Sequence, residues 1–562
     1  MSHVIEPPTG FSTQKKARTF DFTFNQAFFR EHYATLLLLL IVALALFLRV
    51  FNLSTNPGGL NQDEASNGVD AFSLGQTLRD HHGNFLPVML ESFEDWPSPL
   101  ITYLTIPFVW ILGLTEFAVR LPAALFGTAA VPMMYFLVKQ LTKRKDFALL
   151  ASFLLAIMPW SVMTSRLGIP PAPVTFLLLL FVYAYCRASE TVTPRPWKYV
   201  LVGLCAAALG YCYPTFKMFV PMLLGLLFLI DPATKLPWWA TIKKFLVICA
   251  TYLVLTAPFY LLVLMDPARY NARYNSVSIF REGIDPLTTF ITRYLSYILP
   301  NFYFYQDSGV ISDHVPGIEM VYNFLAPFYY MGVVLCVISL FSKKPFILSK
   351  RTSLLLLAWW VLFPVPASIT MDQYNEMRIL QGLPLMLIFA VVGLGVFLSL
   401  ITPKRVLGLV YTAIVGLSLF YLAVFSLKYF GEYPRLSAEF YLYGAKQYTQ
   451  YLVQNDTKFT SVKVDTQTTE PYISYLFYSG LDPARYNYAE INARVDGKGD
   501  WLYVPEYGKY TFDKITPEDL AGATEIYTVE NYGRVYYRIY AKGTDWYVVR
   551  VLQDPLPEVI WS

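Results

Sequence analysis

Apolar residues in this 562-residue chain are gathered into long uninterrupted runs, the first of them ATLLLLLIVALALFLRVF from Ala34 to Phe51. A helix needs about 20 apolar residues to cross the hydrocarbon of a bilayer, and several runs approach that length. With 55% hydrophobic and 17% aromatic residues, the apolar content lies well above soluble-domain usage. The chain reads as a polytopic α-helical membrane protein. Further spans are expected at about Phe117 to Leu141 and at 147–164, 173–187, 199–214, 217–231, 245–265, 319–342, 353–370, 379–401 and 405–427, about eleven in all.

Charge orients these spans. Residues 1–33 carry Lys15, Lys16, Arg18 and Arg30 and show no cleavable signal peptide, so the positive-inside rule puts the amino terminus in the cytoplasm. Alternate loops then carry Lys143, Arg144 and Lys145; Arg195 and Lys198; Lys235, Lys243 and Lys244; Lys343, Lys344, Lys350 and Arg351; and Lys404 and Arg405. An odd number of spans leaves the carboxyl terminus outside. The net charge is only +4 and its basic residues serve topology, so nucleic acid is not a partner. Five cysteines, Cys186, Cys205, Cys212, Cys249 and Cys336, lie in or beside apolar spans without CxxC spacing, which argues against disulfides and zinc. Asn-x-Ser/Thr patterns at Asn52 and Asn455 are frequent by chance.

Beyond about residue 430 the character changes: apolar runs shorten and charges alternate with Tyr, Val and Ile. Residues 431–562 read as an extracytoplasmic α/β domain. A helix is expected near Ser437 to Gln454, a strand at SVKVDT, a helix near Pro471 to Tyr478, and strands near WLYVP, EIYTVE and VYYRIYA. The hexapeptide DPARYN occurs twice, at Asp266 to Asn271 and Asp482 to Asn487, which reads chiefly as a reused helix-start turn, with a shared ligand contact as the sharper alternative.

Polar chemistry concentrates in the first outer loop, Asn56 to Leu100, where Asn61, Gln62, Asp63 and Glu64 follow a Gly58-Gly59 turn. A carboxylate at the edge of a membrane is costly unless used or satisfied. Asp63 to Arg79 and Ser98 to Leu112 within or beside this loop read as short interfacial helices. Against the acidic loop stand cations that break the charge rule by facing outward: Arg120, Arg166, Lys217, Arg269, Arg273, Arg281, Arg293 and Arg378. Singly, each is explained by snorkelling to the interface. Together they describe a charged cavity suited to a lipid phosphate.

These residues carry a resemblance. Asp63-Glu64-Ala65, Pro97-Ser98-Pro99-Leu100, Phe117-Ala118-Val119-Arg120-Leu121-Pro122 with Phe126-Gly127, Pro159-Trp160 with Ser165-Arg166-Leu167-Gly168, Tyr211-Cys212-Tyr213-Pro214, and Met377-Arg378 before Gly382-Leu383-Pro384 follow one another as in the protein O-mannosyltransferase and aminoarabinose transferase group. Over residues 34–430 the chain resembles these glycosyltransferase family 39-like membrane enzymes of the GT-C fold. It departs from the aminoarabinose branch, whose Lys-Pro-Pro-Leu is replaced by Asp95-Trp96-Pro97-Ser98-Pro99-Leu100.

The resemblance implies transfer of a sugar from a polyprenyl-phosphate carrier to an acceptor hydroxyl on protein, lipid or glycan, with inversion. An acceptor hydroxyl is a poor nucleophile at neutral pH, so a carboxylate must take its proton as it attacks. Asp63 is the expected base. A lipid phosphate leaves well when cations stabilise its developing charge, a role expected of Arg378, Lys217 and Arg166. Glu64 and Asp95 are expected to hold acceptor or sugar, and Tyr211 and Tyr213 to line a sugar or lipid groove. No cofactor is certain from the sequence. A divalent ion is the less favoured reading of Asp80-His81-His82 and of Asp307, Asp313 and His314, because neighbouring residues on a helix do not face one another. Two other classes compete: a flippase for polyprenyl-linked sugar, which makes no bond, and a scaffold using the carboxyl-terminal region as its binding module. A bacterial plasma membrane is the expected location.

Overall fold

The computed structural model describes residues 26–93, 95–190, 195–231, 238–299, 301–305, 309–343, 348–466, 470–496 and 502–552. Helices come first, in the order α1 (Gln26–Val50), α2 (Gln62–Thr77), α3 (Leu100–Leu112), α4 (Glu116–Thr142), α5 (Lys145–Ile157), α6 (Pro159–Thr164), α7 (Val174–Ser189), α8 (Pro196–Gly210), α9 (Pro214–Ile230), α10 (Trp238–Met265), α11 (Pro267–Tyr270), α12 (Ala272–Val277), α13 (Pro286–Ile298), α14 (Asn301–Tyr305), α15 (Ala326–Phe341), α16 (Lys350–Leu362), α17 (Val365–Ser368), α18 (Leu383–Ser399) and α19 (Lys404–Leu427). Among the described residues seven helical stretches are long and apolar enough to cross a membrane, namely His32–Val50, Glu116–Thr142, Trp238–Met265, Asn323–Phe341, Lys350–Ser368, Met377–Ser399 and Lys404–Leu436. Four shorter apolar helices, α3, α7, α8 and α9, accompany them. Ten of the eleven expected spans coincide with one of these helices, seven of them long and three short, while α3 falls in a stretch expected to be interfacial.

One expected span is broken. Residues 147–164 do not form a single helix: α5 ends at Ile157 and α6 restarts at Pro159. Pro159 has no N–H to give to the carbonyl of Leu155, and the Trp160 N–H turns to the carbonyl of Met320 instead. The released carbonyls of Leu155 and Ala156 accept from Arg49, at 3.3 and 3.0 Å, and Ser161 Oγ accepts a third bond at 2.8 Å. Arg49, in the middle of an apolar sequence and fully buried, thus finds acceptors for its two Nη groups in the backbone that the proline frees, in Ser161 and in the Ala45 carbonyl of its own helix.

The bundle is layered around α18, which is buried along almost its whole length, whereas α19 is exposed along most of its apolar surface. Close approach of α15 to α18 depends on glycine. A Cβ on Gly332 would sit 2.0 Å from the carbonyl oxygen of Phe389, and one on Gly393 2.0 Å from that of Phe328, as in other small-residue contacts between membrane helices.

After α19 come α20 (Tyr433–Leu436), α21 (Ala445–Gln454), α22 (Pro471–Tyr478) and α23 (Tyr488–Asn492), with strands β1 (Ser461–Val464), β2 (Val495–Asp496), β3 (Leu502–Tyr503), β4 (Glu506–Tyr507), β5 (Tyr510–Phe512), β6 (Thr524–Asn531), β7 (Arg534–Lys542) and β8 (Asp545–Arg550). Six strands form one sheet in the order β4-β5-β1-β8-β7-β6, with β1 parallel to both neighbours and the other pairs antiparallel. The expected helix near Ser437 begins only at Ala445, after Gly444 in a left-handed conformation. Strands β2, β4, β5 and β8 come in addition to the expected ones.

The sheet region does not have a core of its own. Its buried Tyr448, Val462, Ile473, Phe477, Ile539 and Val548 share one apolar cluster with Leu60, Ala65 and Val69 of the first loop and with Ala118 and Val119 of α4. The contact is tight at Gly68 in α2, where a Cβ would fall 2.5 Å from the Phe477 ring and 2.7 Å from Val119.

Candidate functional site

Helix α2 is the centrepiece. Asn61 caps it by accepting the Glu64 N–H at 2.8 Å, so the cap belongs to Asn61 and leaves the Asp63 carboxylate available. Positions 63, 66, 67 and 70 fall on one face of a helix. Asp63, Ser66, Asn67 and Asp70 accordingly line one cavity of about 790 Å3. Its opposite walls come from Asp95 and Trp96, from Tyr213 and Lys217 of α9, from Phe259, Tyr260 and Val263 of α10, and from Arg273, Asp313 and Arg378.

Asp63 lines this cavity and stays exposed to water there. Loss of bulk water, reinforced by the negative charge of Asp95 and of Glu64 and partly offset by Arg273, pushes its carboxyl up to about 6. Asp95 sits in a tight turn whose backbone pairs Ser92 with Asp95 in both directions. The Trp96 N–H donates to Asp95 Oδ1 at 2.7 Å. Burial raises its carboxyl, while that N–H and the cations Arg273, Lys217 and Arg378 pull the other way. Asp313 is pushed up to about 7 by burial and the nearby Glu376. Five carboxylates, those of Asp63, Asp70, Asp95, Asp313 and Asp372, and three cations, Lys217, Arg273 and Arg378, thus line a common space.

The cations are held differently. Arg378 bridges Asp372 at 2.6 Å through Nη2, its backbone N–H donates to Asn375 Oδ1 at 3.1 Å, and its buried Nη1 has no hydrogen-bond partner among the described residues. A buried guanidinium donor left open is a site for an anion. Lys217 places its ammonium 3.8 Å from the centre of the Phe259 ring.

Of the eight residues expected from sequence, Asp63, Asp95, Tyr213, Lys217 and Arg378 meet in this cavity. Three do not line it. Glu64, fully buried, pairs with Arg120 through two 2.8 Å bonds and accepts the Gly168 N–H at 2.9 Å. Arg120 in turn donates to the carbonyls of Leu53, Pro57 and Gly59, so this pair fixes the chain leaving α1. Arg166 donates to the carbonyls of Leu48 and Asn56 and to the Tyr429 hydroxyl, a strut behind the cavity. Tyr211 donates to the Leu255 carbonyl at 2.9 Å. Arg273, one of the outward-facing cations, lines the cavity too, as do Asp313, Asp70 and Asn67, which are not among the expected site residues. A reading of α2 at a spacing of three and four residues would have found the last two.

The Asp80-His81-His82 segment is a turn tied to its surroundings. His81 Nδ1 lies 2.5 Å from Asp70 Oδ1, and Asp80 accepts the N–H groups of His82 and Asn84. Among the described residues no three His, Cys, Asp or Glu side chains converge as metal ligands do; Asp307 lies outside the described residues. The two DPARYN copies are both Asp-capped turns: Asp266 accepts the Arg269 N–H and Asp482 the Ala484 N–H.

Known proteins share this architecture. ArnT from Cupriavidus metallidurans bound to undecaprenyl phosphate superposes with a TM-score of 0.52 at 14% identity, covering 78% of this chain and 84% of that one. The same protein in the apo state gives 0.51 at 16% identity, covering 80% and 85%. An Archaeoglobus fulgidus oligosaccharyltransferase tethered with an acceptor peptide gives 0.50 at 14% identity, covering 81% of this chain but 64% of that one. This chain is a multi-pass helical membrane protein of the GT-C fold with a carboxyl-terminal sheet region. Residues 95–261 match the family described as dolichyl-phosphate-mannose-protein mannosyltransferase. Over 225 residues the chain is 26% identical to YkcB of Bacillus subtilis (strain 168), whose name ascribes to it a mannosyltransferase activity; the match covers 40% of this chain and 29% of that protein.

Proposed function

We propose that the protein is an inverting glycosyltransferase that moves a sugar from a polyprenyl-phosphate carrier to an acceptor hydroxyl at the outer face of the membrane. The observation that carries this reading is the opposition, across one cavity, of a carboxylate whose pKa is near 6 to a guanidinium with an open donor. The acceptor oxygen attacks the anomeric carbon while its proton passes to Asp63. The carbon–oxygen bond to the carrier breaks, its electron pair leaves on the phosphate, and Arg378, Lys217 and Arg273 stabilise that charge. Asp95, ringed by the same cations, holds the sugar hydroxyls. Apolar Val263, Phe259 and Met218 on one wall suit the start of a prenyl tail. The family match and the undecaprenyl phosphate in the ArnT structure agree with such a donor. In this reading residues 431–562 lie outside the bilayer and select the acceptor.

The test follows labelled sugar and carrier in parallel, with purified protein, a panel of polyprenyl-phosphate sugars, and Asp63→Asn beside the wild type. Sugar leaving its carrier in the wild type but not in a variant that still binds donor is the expected result. Intact lipid-linked sugar crossing the bilayer would make the protein a flippase and Asp63 a binding group.

A further inference from the structure

A second cavity, of about 490 Å3, adjoins the first and shares only Trp96 with it. Three separate segments build it: His82, Asn84 and Glu91 from the first loop, Arg269 in α11 and Ala272 at the start of α12, and Asn492 and Arg494 from the sheet region. The walls are polar and already braced against one another. Glu91 joins Arg494 at 3.0 Å and Arg269 at 3.3 Å. Asn492 bonds both the ring and the carbonyl of His82, at 2.8 and 3.1 Å, and Arg494 also reaches that ring. Arg269 lies over Trp96 with 4.4 Å between guanidinium carbon and ring centre, and Tyr270 meets the same ring edge-on at 4.7 Å.

We propose that this cavity is the acceptor subsite and that the part of the acceptor it holds is a saccharide. The inference rests on the transferase reading above. Its size suits a ligand of one or two sugar rings, within the range of about 300–1,000 Å3 typical of small-molecule sites. Its lining offers planar amide, carboxylate and guanidinium groups fixed in place, which recognise vicinal hydroxyls by paired hydrogen bonds. Glu91 offsets one of the two arginines, and burial beside His81 and Arg494 pushes the His82 imidazole well down, so the lining keeps only a small positive excess. The shared Trp96 puts a hydroxyl on a bound ring next to the space where Asp63 and Asp95 wait. The sheet region contributes Asn492 and Arg494 here, which gives that region a chemical task.

Two readouts test this on the full chain in lipid nanodiscs. Saturation-transfer NMR reports binding of mannobiose, cellobiose and maltotriose without turnover, and transfer assays compare these saccharides with serine- and threonine-containing peptides. We expect a saccharide to bind and to accept sugar, and Asn492→Ala or Arg269→Gln to raise its KM about tenfold through lost hydrogen bonds. A donor KM raised by the same factor would mean a distorted site and would overturn the assignment, as would peptide acceptance without saccharide binding. If no donor is consumed at all, the transferase reading fails, and the NMR signal alone decides: saccharide binding lost in both variants keeps the subsite, and binding unchanged by them removes it.

Discussion

Asp63 carries the sharpest prediction because its chemistry sets a pH profile that an ordinary surface carboxylate does not. A base works only when deprotonated, so kcat/KM should rise with pH through about 6 and level off above 7. With that value, the ionised fraction is about 0.9 at pH 7 and about 0.1 at pH 5, a loss of about tenfold. At the unperturbed value of 3.8, less than about a tenth of the activity would be lost over the same interval. Asp313, pushed up to about 7 in part by Asp63, is already protonated as Asp63 titrates, so Asp313→Asn should leave the inflection near 6. Stability should run the opposite way. The folded state raises the affinity of Asp63 for its proton, so the favourable contribution is complete below about pH 4 and is lost as pH rises through 6. The difference from the ordinary value corresponds to about 3 kcal/mol at full strength. Water reaching the carboxylate inside the cavity screens it, which leaves about 1 kcal/mol as the stability gained by Asp63→Asn at pH 8. The assay is the initial rate of sugar release from the carrier between pH 5 and 8, with thermal unfolding of both forms at pH 5 and pH 8. A wild-type profile flat over that range, or an Asn variant with wild-type rate at pH 8, refutes the reasoning.

Arg378→Gln should cut kcat by about 10²–10³, because it removes a preformed donor from the leaving phosphate, and Arg378→Lys should recover only part of that; single-turnover rates check it. Arg120→Met should lower stability by about 3–5 kcal/mol, since Glu64 is left buried with the Gly168 N–H and no cation, and should appear as a large fall in unfolding temperature even at saturating donor. Gly68→Ala should cost about 1–3 kcal/mol by forcing α2 away from Phe477 and Val119, visible as faster proteolysis of the sheet region relative to the helical bundle.

Some of this was written in the sequence and some was not, for physical reasons that separate cleanly. Membrane class and the positions of the helices follow from apolar runs, because the bilayer imposes one solution on any such segment. The polar composition of α2 and its Asn61 start are equally local. The break at Pro159 was visible in principle, but its stabilisation by Arg49 needed a helix more than a hundred residues away. Asp63 and Glu64 are neighbours in sequence and stand about 100° apart around the helix axis. Which of them meets the cavity was decided by Arg120, which claims Glu64 with two bonds. Arg166 and Arg378 look alike at span ends, yet one is spent on the carbonyls of Leu48 and Asn56 and the other keeps an open donor in the cavity. Periodicity reports the face a residue occupies within its own helix. The partner that face meets is a property of the packed bundle, and only the tertiary structure assigns it.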